Sequence, residues 1–323
     1  MNTNILITSA GRRVSLVRFF RQELAQIFPG AKVFTTDANP SLSAACRVSD
    51  GSFSVRRVTA PGYLEELIEL VRSQGIGLIV PTIDTELLLL AEHRETLLRH
   101  GARVLVPDLQ LVQACRDKRL IHAFFSEHGI QTAREYAKDD YRLPLYIKPY
   151  DGSRSIDNYV ITEQEQLTAY HFSNEKLMFL EYLDHRKHTE FTIDLYYRRD
   201  GSLACLVPRQ RLEVREGEVN KAVTRDAFFI PELWEKLSRL EGARGCVTLQ
   251  VFVNMDTKQL YGIEINPRFG GGYPLSYLAG ANFPNWAIRE YLMDETIPVY
   301  TDWEKNLLML RYDDEVLVHA FQG

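Results

Sequence analysis

The chain has 323 residues, 45% of them apolar or aromatic, which is material for about two domains with packed cores. Its formal net charge is −5, with both signs spread along the whole length, so it offers no dense basic field for nucleic acid or anionic lipid. No apolar run reaches the ~18–20 residues of a membrane helix, and four scattered cysteines without a CxxC pair exclude a structural zinc site. Buried thiols in a cytoplasmic protein are the expectation, and the N-terminus reads directly into a strand without a signal-peptide pattern.

Asn4–Thr8 is a continuous apolar run, and Val14–Ile27 follows with apolar residues at helical spacing. Strands are expected at 32–36, 78–81 and 103–106, alternating with helices at 63–71 and 86–98. Near-continuous apolar strands separated by helices predict a parallel sheet covered on both faces, a doubly wound α/β domain over residues 1–107. Helices are expected at 108–115 and 117–128. Beyond them the rhythm changes to longer, alternating strands at 145–148, 159–162, 177–183, 190–197, 202–215, 248–254 and 259–266. This is an α+β pattern dominated by antiparallel strands.

Three clusters carry chemistry. In Glu264-Ile265-Asn266-Pro267-Arg268, strand alternation sends Glu264 and Asn266 to one face and Ile263 and Ile265 to the other. A turn at 254–257 makes a hairpin that sets Gln250 beside Glu264. One carboxylate and two amide oxygens on a shared face suit a hydrated magnesium ion; an exposed polar sheet face reads equally well. Lys148 ends an apolar strand and precedes the small-residue loop Asp151-Gly152-Ser153-Arg154-Ser155, which suits phosphate, although Asp-Gly is also an ordinary hairpin turn. Glu181-Tyr182-Leu183 ends another apolar strand, with Glu190 a few residues on. An adenine slot and a ribose carboxylate fit there, as does any amphipathic hairpin.

Taken in order, Asp117-Lys118, Ile147-Lys148-Pro149 with Gly152-Ser153, Glu181-Tyr182-Leu183, Glu190, Gln250 and Glu264 through Arg268 resemble the ATP-grasp superfamily. The likeness is greatest to single-unit proteins similar to the carbamoyl-phosphate synthase large chain, with support from Ile5 through Arg13 and from Gly270-Gly271-Gly272-Tyr273. The resemblance implies a pre-ATP-grasp domain over 1–107 and a two-lobed ATP-grasp fold over 108–323, the small lobe about 130–183 and the large lobe about 184–323. It implies ATP and one or two Mg²⁺, with Mn²⁺ as a substitute. Lys118 and Lys148 would bind phosphates beneath a loop of Asp151, Gly152, Ser153 and Ser155. Glu181, Tyr182 and Leu183 would hold adenine, Glu190 the ribose, and Gln250, Glu264 and Asn266 the metal. Arg268, with Lys148, would steady the transferring phosphoryl group.

The implied reaction activates a small carboxylate as an acyl phosphate for attack by an amine or other nucleophile. Its alternatives are a carbamoyl-phosphate synthase-like partial subunit and a nucleotide-binding module without catalysis. The chain departs from the family pattern at Arg154, at Thr248 and in the short stretch between Ala133 and Leu143. Candidates for the substrate pocket are Arg12, Asp84, Glu86, Arg209, Arg211 and Gly271, with surface or helix-cap roles as the competing reading; Asp84 stands at an expected N-cap. Expected partners are small-molecule substrates and a second copy in a homodimer, with no nucleic acid and no membrane. A dinucleotide oxidoreductase is the rival class, because Asp37 follows Gly11 by 26 residues, but Arg12 and Arg13 occupy a turn that would need glycine.

Overall fold

The computed structural model of the chain describes residues 2–152, 156–215 and 217–321. Its first sheet is wholly parallel and comprises β1 (Asn4–Thr8), β2 (Val33–Asp37), β3 (Gly51–Ser54), β4 (Ile76–Pro81) and β5 (Arg103–Val104), in the order β3-β2-β1-β4-β5. The continuous apolar runs follow from burial on both sides. Ile5, Ile7, Leu78 and Val80 pack on one face beside Leu16, Val17 and Phe20 of the Val14–Ile27 helix. Leu6, Ile76 and Ile79 pack on the other beneath Leu67, Leu87 and Leu90. The expected helix over 86–98 is two, Asp84–Glu92 and Arg94–Arg99.

Two helices, Leu109–Arg116 and Lys118–Glu127, lead out of this domain. Asp117 caps the second by accepting from the Arg119 N–H at 2.9 Å, which makes Lys118 its first residue. The short strand β6 (Gln131–Thr132) then pairs with the large sheet, although the small lobe was expected from about residue 130. The small antiparallel sheet contains β7 (Glu135–Tyr136), β8 (Leu145–Pro149), β9 (Tyr159–Ile161) and β10 (Leu177–Glu181), ordered β7-β10-β8-β9. Its apolar face joins Leu145, Ile147, Ile161, Leu177 and Phe179.

The large sheet adds β11 (His188–Tyr197), β12 (Leu203–Arg215), β13 (Glu218–Thr224), β14 (Gly245–Asn254), β15 (Leu260–Asn266) and β16 (Leu308–Leu310). Its order is β16-β13-β12-β11-β14-β15-β6, antiparallel except for β15–β6. The helix Phe283–Leu292 turns back so that Phe283, Ala287, Ile288 and Leu292 enter the same core as Ile5 and Val80. The parallel domain and the large lobe therefore share apolar packing.

Candidate active site

Between the small and large sheets lies a cleft of about 840 Å³. Alternation along β8 buries Leu145 and Ile147 in the small-lobe core and turns Tyr146 and Lys148 into the cleft. Lys118 enters from the start of its helix; its N–H donates to Tyr150 O at 2.9 Å and its Nζ to Gly152 O at 2.5 Å. Burial drives the Lys148 ammonium down to about 8, with Lys118 adding repulsion and Glu264 opposing both. Lys118 is lowered for the same leading reason, and Glu264 is its strongest opposing charge. The two lysines and Glu264 thus sense one another across the cleft.

Glu264 stands opposite Gln250 in the β14–β15 pairing, and Asn266 opposite Thr248. The register shifts by one residue between Gln250 and Val251. That bulge corrects one expectation of the alternation: Ile265 is buried in the large-lobe core, whereas Ile263 lies on the cleft side beside Tyr146 and Phe252. Asn266 Nδ2 donates to Glu264 Oε1 at 2.9 Å, and Gln250 Nε2 donates to Glu190 Oε1. Each amide therefore spends one N–H, and among the described residues its oxygen accepts no hydrogen bond. A carboxylate with two amide oxygens is a hard-oxygen set that fits Mg²⁺ with room for phosphate and water.

Glu190 also accepts from Arg211 Nη1 at 2.8 Å, so Arg211 lines the cleft as the partner of the expected ribose carboxylate. The Glu181 N–H donates to Arg134 O at 2.8 Å, and Glu181, Tyr182 and Leu183 all line the cleft. Among the described residues the Leu183 N–H has no hydrogen-bond partner, which leaves a donor beside Leu180 and Phe252 for a purine edge. Gly152 lines the cleft, whereas Asp151 pairs outside it with Lys176 at 2.6 Å. Ser153, Arg154 and Ser155 lie outside the described residues.

Arg268 does not line the cleft. Its Nε and Nη2 grip the Asp84 carboxylate at 2.8 and 2.6 Å, joining the end of β15 to the segment after β4. Thr248 Oγ1 donates to Arg268 O at 3.0 Å and fixes the same turn. Asp84 is the first residue of its helix and not the cap, which is Ile83.

Three substrate candidates are corrected by burial and exposure. Arg209 is 1% exposed and sealed in a bidentate pair with Asp194 at 2.7 and 3.0 Å. Glu86 is completely buried and accepts from Thr8 Oγ1 at 2.7 Å, from Ser9 Oγ and from Tyr63 OH at 2.8 Å. Burial raises its carboxyl against those hydrogen bonds, and it braces the turn after β1 without reaching the cleft. Arg12 is exposed, and the inward guanidinium of that turn belongs to Arg13. The Cβ that Gly271 lacks would stand 3.1 Å from Arg13 Nη1.

The sequence reading missed His122, one turn after Lys118, whose imidazole is driven down to about 4 by burial, with Lys148 and Lys118 adding to it. Helical spacing from Lys118 was the signal available for it. Tyr146 was legible from alternation with Lys148. His185, which is exposed, and His188, which is partly buried, also line the cleft, packing against Phe252 and Tyr261 respectively.

This arrangement, a parallel domain followed by two antiparallel sheets that grip a cleft, defines a two-lobed nucleotide-binding architecture. Residues 5–105 match the family described as PylC-like, N-terminal domain, and residues 173–311 that described as ATP-grasp in the biosynthetic pathway with Ter operon. The first match falls on the parallel domain, and the second runs from the end of the small sheet through the large one. A search of curated protein sequences gives no match. Among solved structures it is similar to the biotin carboxylase domain of the Hydrogenobacter thermophilus 2-oxoglutarate carboxylase, crystallised with MgADP and bicarbonate, at TM-score 0.74 and 15% identity over 95% of this chain and 74% of that one. It is also similar to Campylobacter jejuni biotin carboxylase, at 0.73 and 13% over 95% and 74%. For N5-carboxyaminoimidazole synthetase of Staphylococcus aureus with ADP the values are 0.70 and 15% over 96% and 80%. At such identities the likeness is one of fold. Asp37, the acid of the rival dinucleotide reading, accepts from the N–H groups of Gly11 and Asn39 at 3.1 and 3.0 Å. No helix among the described residues is long and apolar enough to cross a membrane.

Proposed function

We propose that the chain is an ATP- and Mg²⁺-dependent ligase that activates a small carboxylate as an acyl phosphate for attack by an amine. The observation that carries this reading is the convergence of Lys118, Lys148, Gln250 and Glu264 on one cleft, with Asn266 bonded to Glu264 beside it. The two ammonium groups would hold the β- and γ-phosphates; folding has already stripped much of their water, so an anion meets a sharpened field. Tyr182 and Leu183 would take the adenine, and Glu190, held by Arg211 and Gln250, the ribose. Magnesium would sit on Glu264 and the free oxygens of Gln250 and Asn266, where it supplies screening of phosphate charge.

The substrate carboxylate oxygen then forms a bond to the γ-phosphorus as the bond to the β-bridging oxygen breaks and ADP leaves. The amine next attacks the acyl carbon, losing a proton as inorganic phosphate departs. Arg268, already oriented by Asp84 and Thr248, lies next to the metal strand and would neutralise the acyl phosphate. The related carboxylase domain crystallised with MgADP and bicarbonate lends this chemistry support by fold, as do free, mostly buried thiols to a cytoplasmic setting. The dimer named for the related carboxylase domain supports a homodimer, which light scattering checks.

The test is ADP release screened over carboxylates and amines, with Glu264→Ala as control. Turnover with at least one pair, lost in the variant by a hundredfold or more, is the expected result. Protection by Mg-ADP without turnover for any acid would instead support a nucleotide-binding module, and an active Glu264→Ala would remove the metal assignment.

A further inference from the structure

Arginines near the metal strand are almost all spoken for. Arg268 is bound to Asp84, Arg211 to Glu190 and Arg209 to Asp194, and Arg311 lies 3.4 Å from Glu218. Arg209 still leaves its buried Nη1 without a partner, and Arg13 goes further: among the described residues its half-buried guanidinium makes no hydrogen bond and no ion pair. It stands in the turn between β1 and the Val14–Ile27 helix, at the carboxyl edge of a doubly wound sheet where ligands gather.

That helix has no side-chain cap at its N-terminus, so no side chain takes up its first-turn N–H groups. Opposite is the glycine turn at 270–272. A Cβ on Gly271 would meet Arg13 Nη1 at 3.1 Å and the Glu218 carboxyl carbon at 3.2 Å, so glycine there is what keeps the gap open. The charges that Arg13 senses are Arg268 and Arg311 against Glu218 and Asp84. With Arg13 itself, three positive charges meet two negative ones, and the unmatched one is the unpaired arginine. An arginine fork without a partner has the donor geometry for a bidentate oxyanion.

We infer that a ligase substrate carries a second anionic group, a carboxylate or a phosphate, which docks on Arg13 between the helix start and the glycine turn. The inference rests on the ligase reading and deepens it. Arg13 senses Arg268, and Arg268 follows metal-strand residue Asn266 by two positions, so a molecule anchored at Arg13 lies beside the reaction centre and outside the nucleotide cleft. Selection for acidic substrates follows, because a neutral analogue leaves the half-buried guanidinium unpaired.

The experiment is calorimetric titration of the full chain saturated with Mg²⁺ and a non-hydrolysable ATP analogue, which fills the lysine site. Inorganic phosphate and succinate are the two probes. At least one is expected to bind, and Arg13→Gln to weaken it tenfold or more while affinity for the analogue changes less than twofold. Binding of phosphate points to a phosphomonoester substrate and binding of succinate to a dicarboxylate. Should Arg13→Gln lose analogue binding through misfolding, Gly271→Ala is read in its place, with the same expected weakening. Arg13 has no such role if neither probe binds wild-type protein that does bind the analogue, or if the readable variant binds the probe like wild type. Wild-type protein that fails to bind the analogue would fail the ligase reading itself.

Discussion

Lys148 shows how one buried charge ties stability to the proposed chemistry. Its ammonium is lowered to about 8 from a free value of 10.5. Between those two values the unfolded chain holds more protons than the folded one, so folding stability climbs as pH rises through that window. Below about 8 both states are protonated and the burial cost is fully present. Lys148→Met removes this contribution. Urea unfolding of both proteins between pH 7.5 and 10 is expected to show wild type gaining on the variant by up to ~1.4 kcal/mol per pH unit. A difference that stays flat with pH refutes the assignment. Nucleotide phosphates favour the charged form, so titrating Mg-ADP near pH 8 in buffers of unlike ionisation enthalpy is expected to reveal proton uptake that Lys148→Met lacks.

Between elements, the contact that sets the metal strand is β15 lying on the Lys118–Glu127 helix. The Cβ that Gly262 lacks would stand 2.7 Å from the buried ring of Phe125, a ring with no free end to swing away. Gly262→Ala is expected to destabilise the chain by about 1–3 kcal/mol. It is also expected to reduce affinity for Mg-nucleotide, because Glu264 lies two residues on and Lys118 begins the displaced helix. Chemical denaturation and nucleotide titration check the two effects; a variant as stable as wild type would mean that the helix yields freely.

Local pattern made these strands legible: apolar runs gave the parallel sheet, alternation gave Lys148, and a hairpin spacing brought Gln250 to Glu264. Ile263 was misread because a bulge is one extra residue, which no periodicity of two can announce. The pairings of Arg268 with Asp84 and of Arg209 with Asp194 were not legible, because each is made by tertiary structure, across 184 and 15 positions. The turn of Ser9 and Gly11 likewise depends on Glu86, which sequence offers only as one acid among 43.

At the scale of the molecule, apolar packing is divided unevenly. One core runs from Ile5 and Val80 through Tyr196 and Val207 to Phe283 and Leu292, so the parallel domain and the large lobe are held together by shared burial. The small sheet keeps a compact core of its own around Ile147 and Phe179 and touches the large lobe through a minor cluster at Met178, Leu180, Tyr261 and Ile263. Elements with fewer buried apolar contacts open at lower free energy. Amide hydrogen exchange is therefore expected to be faster in β8, β9 and β10 than in β1, β11 and β14 of the free protein. Mg-ADP contacts Lys148 and Leu183 on one side and Glu264 on the other in the proposed mode, so it adds a bridge exactly where shared apolar packing is thin. Ligand bound at 100 times its dissociation constant contributes about 2.7 kcal/mol, and a bridge confines that gain to openings that separate the lobes. Exchange in β8 and β10 is expected to slow by one to two orders of magnitude on adding Mg-ADP, with β1 nearly unchanged. Equal slowing in all three sheets would mean that the lobes open only as one unit, and no slowing in β8 would put the nucleotide somewhere other than between them.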